Sequence, residues 1–381
     1  MMYENPILSK PKRLIEEFFR LAETDAERIV RSLEEDAEFF ERLRPSLSTA
    51  LRELVGRFDD DLRVAAVDGS CTPAPAVKVG VGVSVITAGY MISEGGEIVD
   101  CDYIADSMID RTGRRLNFTS KLKMRLLERR MAEKALEKNV DLLIIDGSFL
   151  YPLSPEWYYS MPPMSKRAVD EIYGITKRLA ESGRTIGIIK RSMLQAIEAY
   201  AVYRGVLRPA GIRLVRDKYI LDWLMPPRSA WLYSLYTRGE DPAVLSRCLE
   251  RMIEEKAEAA GDMKRILDEE KERFSSVRER FGMGGNDFMR AYIRAYADAS
   301  PFEVEYPADM NILEAAERLL PICNDATGLP FILDLIDHDI GVEESVMKAY
   351  VEEVHARALE KTLHHKELRS MFNPLNPEKD A

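Results

Sequence analysis

The chain has 381 residues, 46% hydrophobic and 31% charged, with a formal net charge of -11. This is an ordinary globular composition, long enough for one large domain or two smaller ones, and the charge excludes a protein coated in basic surface. No apolar run reaches the roughly 18 residues a membrane span needs, and the N-terminus turns charged too soon for a signal peptide, so a cytoplasmic location is expected. The four cysteines, Cys71, Cys101, Cys248 and Cys323, are scattered without a Cys-x-x-Cys pair. They suit a reducing compartment and argue against a zinc ribbon or a disulfide scaffold.

Residues 1–60 read as an N-terminal helical extension of three helices: one after Pro11, one from about Asp25 to Leu43, and one from Pro45. Leu62–Val67 is the first buried strand, Val77–Ile92 the second, and Glu97–Ile104 returns as the third after a Ser-Glu-Gly-Gly turn. Thr119 or Ser120 can cap a helix running to about Lys138. It runs through a basic stretch between Arg114 and Arg130 that holds Arg114, Arg115, Lys121, Lys123, Arg125, Arg129 and Arg130 against one acid, Glu128. Asp141–Asp146 is the fourth strand, about Ser165 to Ser182 a helix, and Arg184–Lys190 the fifth strand. A charged segment at about 241–285 reads as a helical insertion. Phe288–Tyr296 and Pro301–Tyr306 are the last strands, Asn311–Leu320 is a helix, another carries Asp337, and a final one spans about Glu343 to Arg369. Residues 61–375 thus form the main domain. Its fold class is α/β, a mixed sheet flanked by helices.

One phrase occurs twice. Val64–Ser70 and Leu142–Ser148 are each an apolar run ending in Asp-Gly-Ser. A run without polar alternation is a strand covered on both faces, and Gly-Ser is expected to turn the chain after it. Asp68 and Asp146 then sit at two core strand ends, where paired carboxylates make a seat for a hard divalent cation. Glu128 lies on a partly apolar helix face and is a third candidate; Glu133, on another face of that helix, competes with it. Asp337, His338 and Asp339 form a late acidic cluster. Lys190 ends a strand as the two aspartates do, where a cation can meet a phosphate. No nucleotide-binding glycine loop, His-Glu-x-x-His or Gly-x-Ser-x-Gly is present. Oxygen ligands of this kind select Mg²⁺ or Mn²⁺ over zinc, and two such ions suit phosphodiester cleavage. The basic helix would hold a nucleic-acid backbone without reading bases.

Three strands, a helix and a fourth strand, with acids on the first, the helix and the fourth, is the order of the ribonuclease H-like fold. The details resemble the NurA family of nucleases. The carrying residues are Val-Asp-Gly-Ser at Asp68, Arg125-Leu-Leu-Glu128, Ile-Asp-Gly-Ser at Asp146, Ile-Ile-Lys190-Arg-Ser, Asp222 with Arg228-Ser229, and Gly328-Leu-Pro-Phe before Asp337-His338. The resemblance implies Asp68, Glu128 and Asp146 as metal-binding catalytic acids, and it favours Glu128 over Glu133. It also implies DNA contacts from Arg125, Lys190 and Arg191. The last motif departs from the family: Leu329-Pro330 replaces Tyr-Pro, and counting from the proline puts Asp337, not His338, at the histidine position. Either could complete the site. The implied activity is a Mn²⁺- or Mg²⁺-dependent DNA nuclease, a 5'-3' exonuclease working as a homodimer with a HerA-type hexameric ATPase in DNA-end resection and double-strand break repair. Two rivals stand beside it: an adaptor subunit weakened at the last motif, and an actin-like phosphotransferase.

Overall fold

The computed structural model describes residues 5–72, 75–111, 115–149, 155–256, 260–283 and 287–374. The chain divides into two compact units, Met1–Ala50 and Leu51–Ala381. The first holds one helix of 36 residues, α1 (Lys12–Leu47), where three were expected. The expected break at Thr24-Asp25 does not occur because neither residue caps. The Thr24 hydroxyl donates back to the Arg20 carbonyl at 3.0 Å, and Asp25 pairs with Arg28 one turn on, so both side chains serve an unbroken helix.

In the second unit the chain runs β1 (Leu51–Glu53), β2 (Arg63–Cys71), β3 (Ala76–Val77), β4 (Gly82–Glu94), β5 (Glu97–Asp110), α2 (Leu116–Leu136), β6 (Leu142–Asp146), α3 (Pro155–Ser160), α4 (Pro163–Glu181) and β7 (Thr185–Ile189). It continues as α5 (Ala196–Tyr203), α6 (Asp217–Leu224), β8 (Ser229–Leu232), α7 (Tyr233–Tyr236), α8 (Pro242–Glu254), α9 (Ala260–Arg280), β9 (Phe288–Arg294) and β10 (Phe302–Pro307). The last elements are α10 (Ile312–Leu319), α11 (Phe331–Ile340), α12 (Glu344–Lys361) and α13 (His365–Met371). Thr119 and Ser120 lie inside α2 rather than capping it, with hydroxyls bonded to the carbonyls of Arg115 and Leu116. The long second strand is two pieces, β3 and β4, and the final helix is likewise two, α12 and α13.

Ten strands of the described residues form one mixed sheet in the order β1-β8-β9-β10-β7-β6-β2-β4-β3, with β5 also on β4. β2, β4 and β5 pair antiparallel, whereas β6 runs parallel to β2 and β7 parallel to β6. That is the ribonuclease H-like arrangement: a meander, a crossover helix, and parallel strands laid on its first strand. Val64–Val67 of β2, Leu142–Ile145 of β6 and most of β7 are buried on both faces, which is why these stretches show no polar alternation. One face, with Val64, Ala66, Ile144, Ile186 and Ile188, packs on Ile332, Leu333 and Ile336 of α11 and on α10. The other, with Ala65, Val67, Leu143 and Ile145, packs on Leu127, Met131 and Ala135 of α2 and on Leu179 of α4. Each buried Ile or Leu contributes about 1.5–3 kcal/mol. Among the described residues no helix is long and apolar enough to cross a membrane.

Candidate active site

The parallel β2–β6 ladder closes on Val67 and Ile145, so the next residue of each strand is an acid. β6 ends at Asp146, where Gly147 turns the chain at φ +99, a conformation glycine adopts without a Cβ clash. β2 does not end at Asp68, contrary to the turn expected from its Gly-Ser. It runs on to Cys71, because β4 pairs with it as far as Ile86. The same phrase is therefore strand interior in one copy and strand end in the other.

Side chains alternate along a strand, so Asp68 and Asp146 share the face of Ala66 and Ile144, the one covered by α11. α11 brings Asp337 onto the pair. One carboxylate oxygen from each of Asp68, Asp146 and Asp337 lies within 4.8 Å of the other two. Lys190, just beyond β7, sets its Nζ 3.1 Å from Asp146 and 2.9 Å from Asp337. Burial, reinforced by the charges of Asp146 and Glu128 against the weaker pull of Lys190, lifts the Asp68 carboxyl to about 8. Burial also raises Asp146, with Lys190 opposing. Burial works against the Lys190 charge, yet Asp146 and Asp337 hold its proton more firmly than usual.

Glu128 arrives from the opposite layer. A Cβ on Gly69 would stand 3.2 Å from Glu128 Cβ and 3.4 Å from its Oε2, so the missing methyl lets α2 bring this acid against β2, close enough for its charge to act on Asp68. Glu128 is 1% exposed. It accepts from Arg125 Nη1 at 3.0 Å on both oxygens and from Arg129 Nη1 at 2.5 Å. Arg125 also donates to the Asp146 carbonyl at 3.1 Å. Glu133 pairs with Arg178 at 2.6 Å; of the two glutamates it is Glu128 whose charge acts on Asp68 and Asp146, although its carboxylate is outside the group formed by Asp68, Asp146 and Asp337. His338 and Arg191 are exposed, and His338 is outside the carboxylate group.

The basic stretch is largely neutralised within the protein. Lys123 pairs with Asp106 at 2.6 Å and Arg130 with Glu171 at 2.7 Å, and beyond the stretch Lys134 pairs with Asp102. Arg114 lies outside the described residues. Arg129, read from sequence as one more surface cation, is 1% exposed. Besides Glu128 it reaches the carbonyls of Ser148 and Phe149 at 2.7 and 3.3 Å. Burial lowers its guanidinium to about 10, with Glu128 opposing. A second unread group is Glu305 with Arg290, joined at 2.8 Å; Glu305 also accepts from the Ser148 hydroxyl at 2.5 Å. The available signal was Glu303 and Glu305 two apart in a buried strand, which puts both on one face and calls for a buried cation.

The donor set suits a hard cation: three carboxylates, no thiol or imidazole, and mutual repulsion that a divalent ion would relieve.

The NurA domain family model matches residues 62–341. No curated protein matches the chain. Among solved structures, the NurA nuclease from Sulfolobus solfataricus is 14% identical, with a TM-score of 0.58 over 91% of this chain and 99% of that one. A second NurA crystal structure is 11% identical, with a TM-score of 0.53 over 91% of this chain and 99% of its own. A third, bound to dAMP and manganese, is 12% identical, with a TM-score of 0.44 over 92% of this chain and 99% of its own. At such identities the likeness is one of fold, and the family assignment rests on the domain match across the strands and helices that carry the acids: this chain belongs to the NurA family of nucleases.

Proposed function

We propose that the chain is a divalent-metal-dependent deoxyribonuclease in which Asp68, Asp146 and Asp337 hold Mn²⁺ or Mg²⁺ and Glu128 joins them from the other layer. The observation that carries this is the convergence of Asp68, Asp146 and Asp337 within 4.8 Å, from two strands and a helix distant in sequence. The chemistry that such ions supply when bound is a water nucleophile at neutral pH and neutralisation of the leaving oxygen. The chain's own residues do the rest. Lys190 stands beside the acids as a point charge for a non-bridging phosphate oxygen. Arg125, at the Asp146 turn, and Arg191, exposed after β7, extend that cationic edge toward the substrate backbone. Arg129 keeps Glu128 and the turn after Asp146 at a fixed separation.

The family extends the proposal to a 5'-3' exonuclease that works as a homodimer with a HerA-type hexameric ATPase in DNA-end resection and repair. The deciding experiment is digestion of linear DNA with Mn²⁺, with and without chelator, by the wild type, Asp68→Ala and Asp146→Ala. Metal-dependent cutting by the wild type alone is expected. An inert wild type, or cutting by both variants, overturns the proposal.

A further inference from the structure

Asp337 is the outlying member of the carboxylate group. It comes from a helix laid over the sheet, so its distance from Asp68 and Asp146 depends on where the last turn of α11 is seated. The strand register shows what seats it. Asp68 of β2, Gly89 of β4 and Tyr103 of β5 stand in one cross-strand row, and Ser70, Thr87 and Ala105 in the next row on the same face.

The first row opens a slot. A Cβ on Gly89 would meet Tyr103 Cδ1 at 2.7 Å and Ile336 Cδ1 at 3.2 Å, so the absent methyl admits both the ring and α11. The two rows then supply polar contacts to the end of α11. The Tyr103 hydroxyl donates to Asp339 at 2.8 Å. The Thr87 hydroxyl donates to the Ile340 carbonyl at 2.6 Å. The Val342 amide donates to Ser70 Oγ at 3.2 Å. These contacts span residues 339–342, the end of α11 and the backbone just past it, immediately after Asp337. The contact to Ile340 meets a helix-terminal carbonyl, a group that has no partner within its own helix.

We infer that Thr87, Tyr103 and Ser70 are positioning residues for Asp337, holding the end of α11 so that its carboxylate meets Asp68 and Asp146. The serine of the first Asp-Gly-Ser phrase thereby gains a role separate from turn formation. The inference rests on the metal-site proposal above. Loss of a supporting hydrogen bond behind a metal ligand typically weakens metal binding 10- to 100-fold.

The test is Mn²⁺ binding to the full chain without DNA, by titration calorimetry, with melting temperature measured alongside. Thr87→Val and Tyr103→Phe are expected to weaken binding about tenfold while the fold stays intact, and Thr87→Ser to restore it. In an Asp337→Asn background, Thr87→Val is expected to change nothing further, because the residue it positions is gone. Wild-type affinity in both Thr87→Val and Tyr103→Phe overturns the inference alone. So does an equal loss in the Asp337→Asn background, since the effect then runs through another group. A wild type that binds no Mn²⁺ overturns the metal-site proposal and this inference with it.

Discussion

Gly69 and Glu128 meet on the α2 face of β2, where a Cβ on the glycine would stand 3.2 Å from that of the glutamate and 3.1 Å from Met124 Cγ. The acids thus come from three layers: two neighbouring strands in the middle, α11 on one side, and α2 on the other. Only a residue without a side chain at position 69 lets the α2 acid come close. Gly69→Ala should push α2 outward by a few tenths of an ångström. The overpacking should cost about 1–3 kcal/mol. Nuclease activity should fall more than stability alone explains. Urea unfolding and DNA digestion on one preparation check this; a variant with wild-type activity would show that Glu128 needs no close approach.

Burial makes Asp68 a pH-dependent cost in the metal-free protein. Its folded carboxyl titrates at about 8, against an ordinary 3.8. Between those values the folded state keeps a proton that the unfolded state releases, so this group's effect on stability becomes steadily less favourable as pH rises and levels off above about 8. Asp68→Asn removes the effect. In chelator the variant should melt above the wild type, with a small gap near pH 5 that widens toward about pH 8. Mn²⁺ affinity of the wild type should rise over the same window, because the ligand must lose its proton first. Parallel melting curves at all pH values would contradict the burial argument.

Arg129 is a buried cation whose removal leaves a buried anion half-matched. Arg129→Met should destabilise the chain by about 3 kcal/mol, the low end for a broken buried pair, because Arg125 still faces Glu128. The carbonyls of Ser148 and Phe149 also lose their donor. Changing Glu128 to Gln as well should recover part of the loss, since the unmatched charge goes. Chemical denaturation of the two variants in chelator measures both steps, and no recovery in the double variant would place the cost elsewhere.

Much of this arrangement was legible in the sequence, for physical reasons that differ by element. The runs Val64–Val67, Leu142–Ile145 and Thr185–Ile189 are buried on both faces, and continuous apolarity announces that. Asp68, Asp146 and Lys190 were visible as charges at the ends of such runs, whereas spacing left Glu128 level with Glu133 and only the family resemblance favoured it. The extension of β2 past Asp68 was not, because it depends on β4, a partner that local turn chemistry does not know about. The unity of α1 was missed because Thr24 and Asp25 favour caps in isolation but turn inward here. The basic stretch read as a free surface because its counter-charges, Asp106 on β5 and Glu171 on α4, meet α2 only in three dimensions. Thr87 and Tyr103 carry no signal by themselves; register alone places them beneath α11.

Asp337 and His338 are adjacent in sequence but about 100° apart around the helix axis, so only one of them can face the two strand aspartates. Both are exposed, but the structure turns Asp337 toward Lys190, Asp146 and Asp68 and leaves His338 outside that group. Asp337→Ala should therefore weaken Mn²⁺ binding by tenfold or more, on the scale of a lost ligand or its immediate support. His338→Ala should change affinity by less than about twofold, in line with an exposed surface substitution. Calorimetric titration of both variants distinguishes the residues without relying on activity. The reverse ranking, with His338→Ala abolishing binding and Asp337→Ala tolerated, would require α11 to turn about its axis when metal binds, and the assignment of Asp337 would then give way to His338.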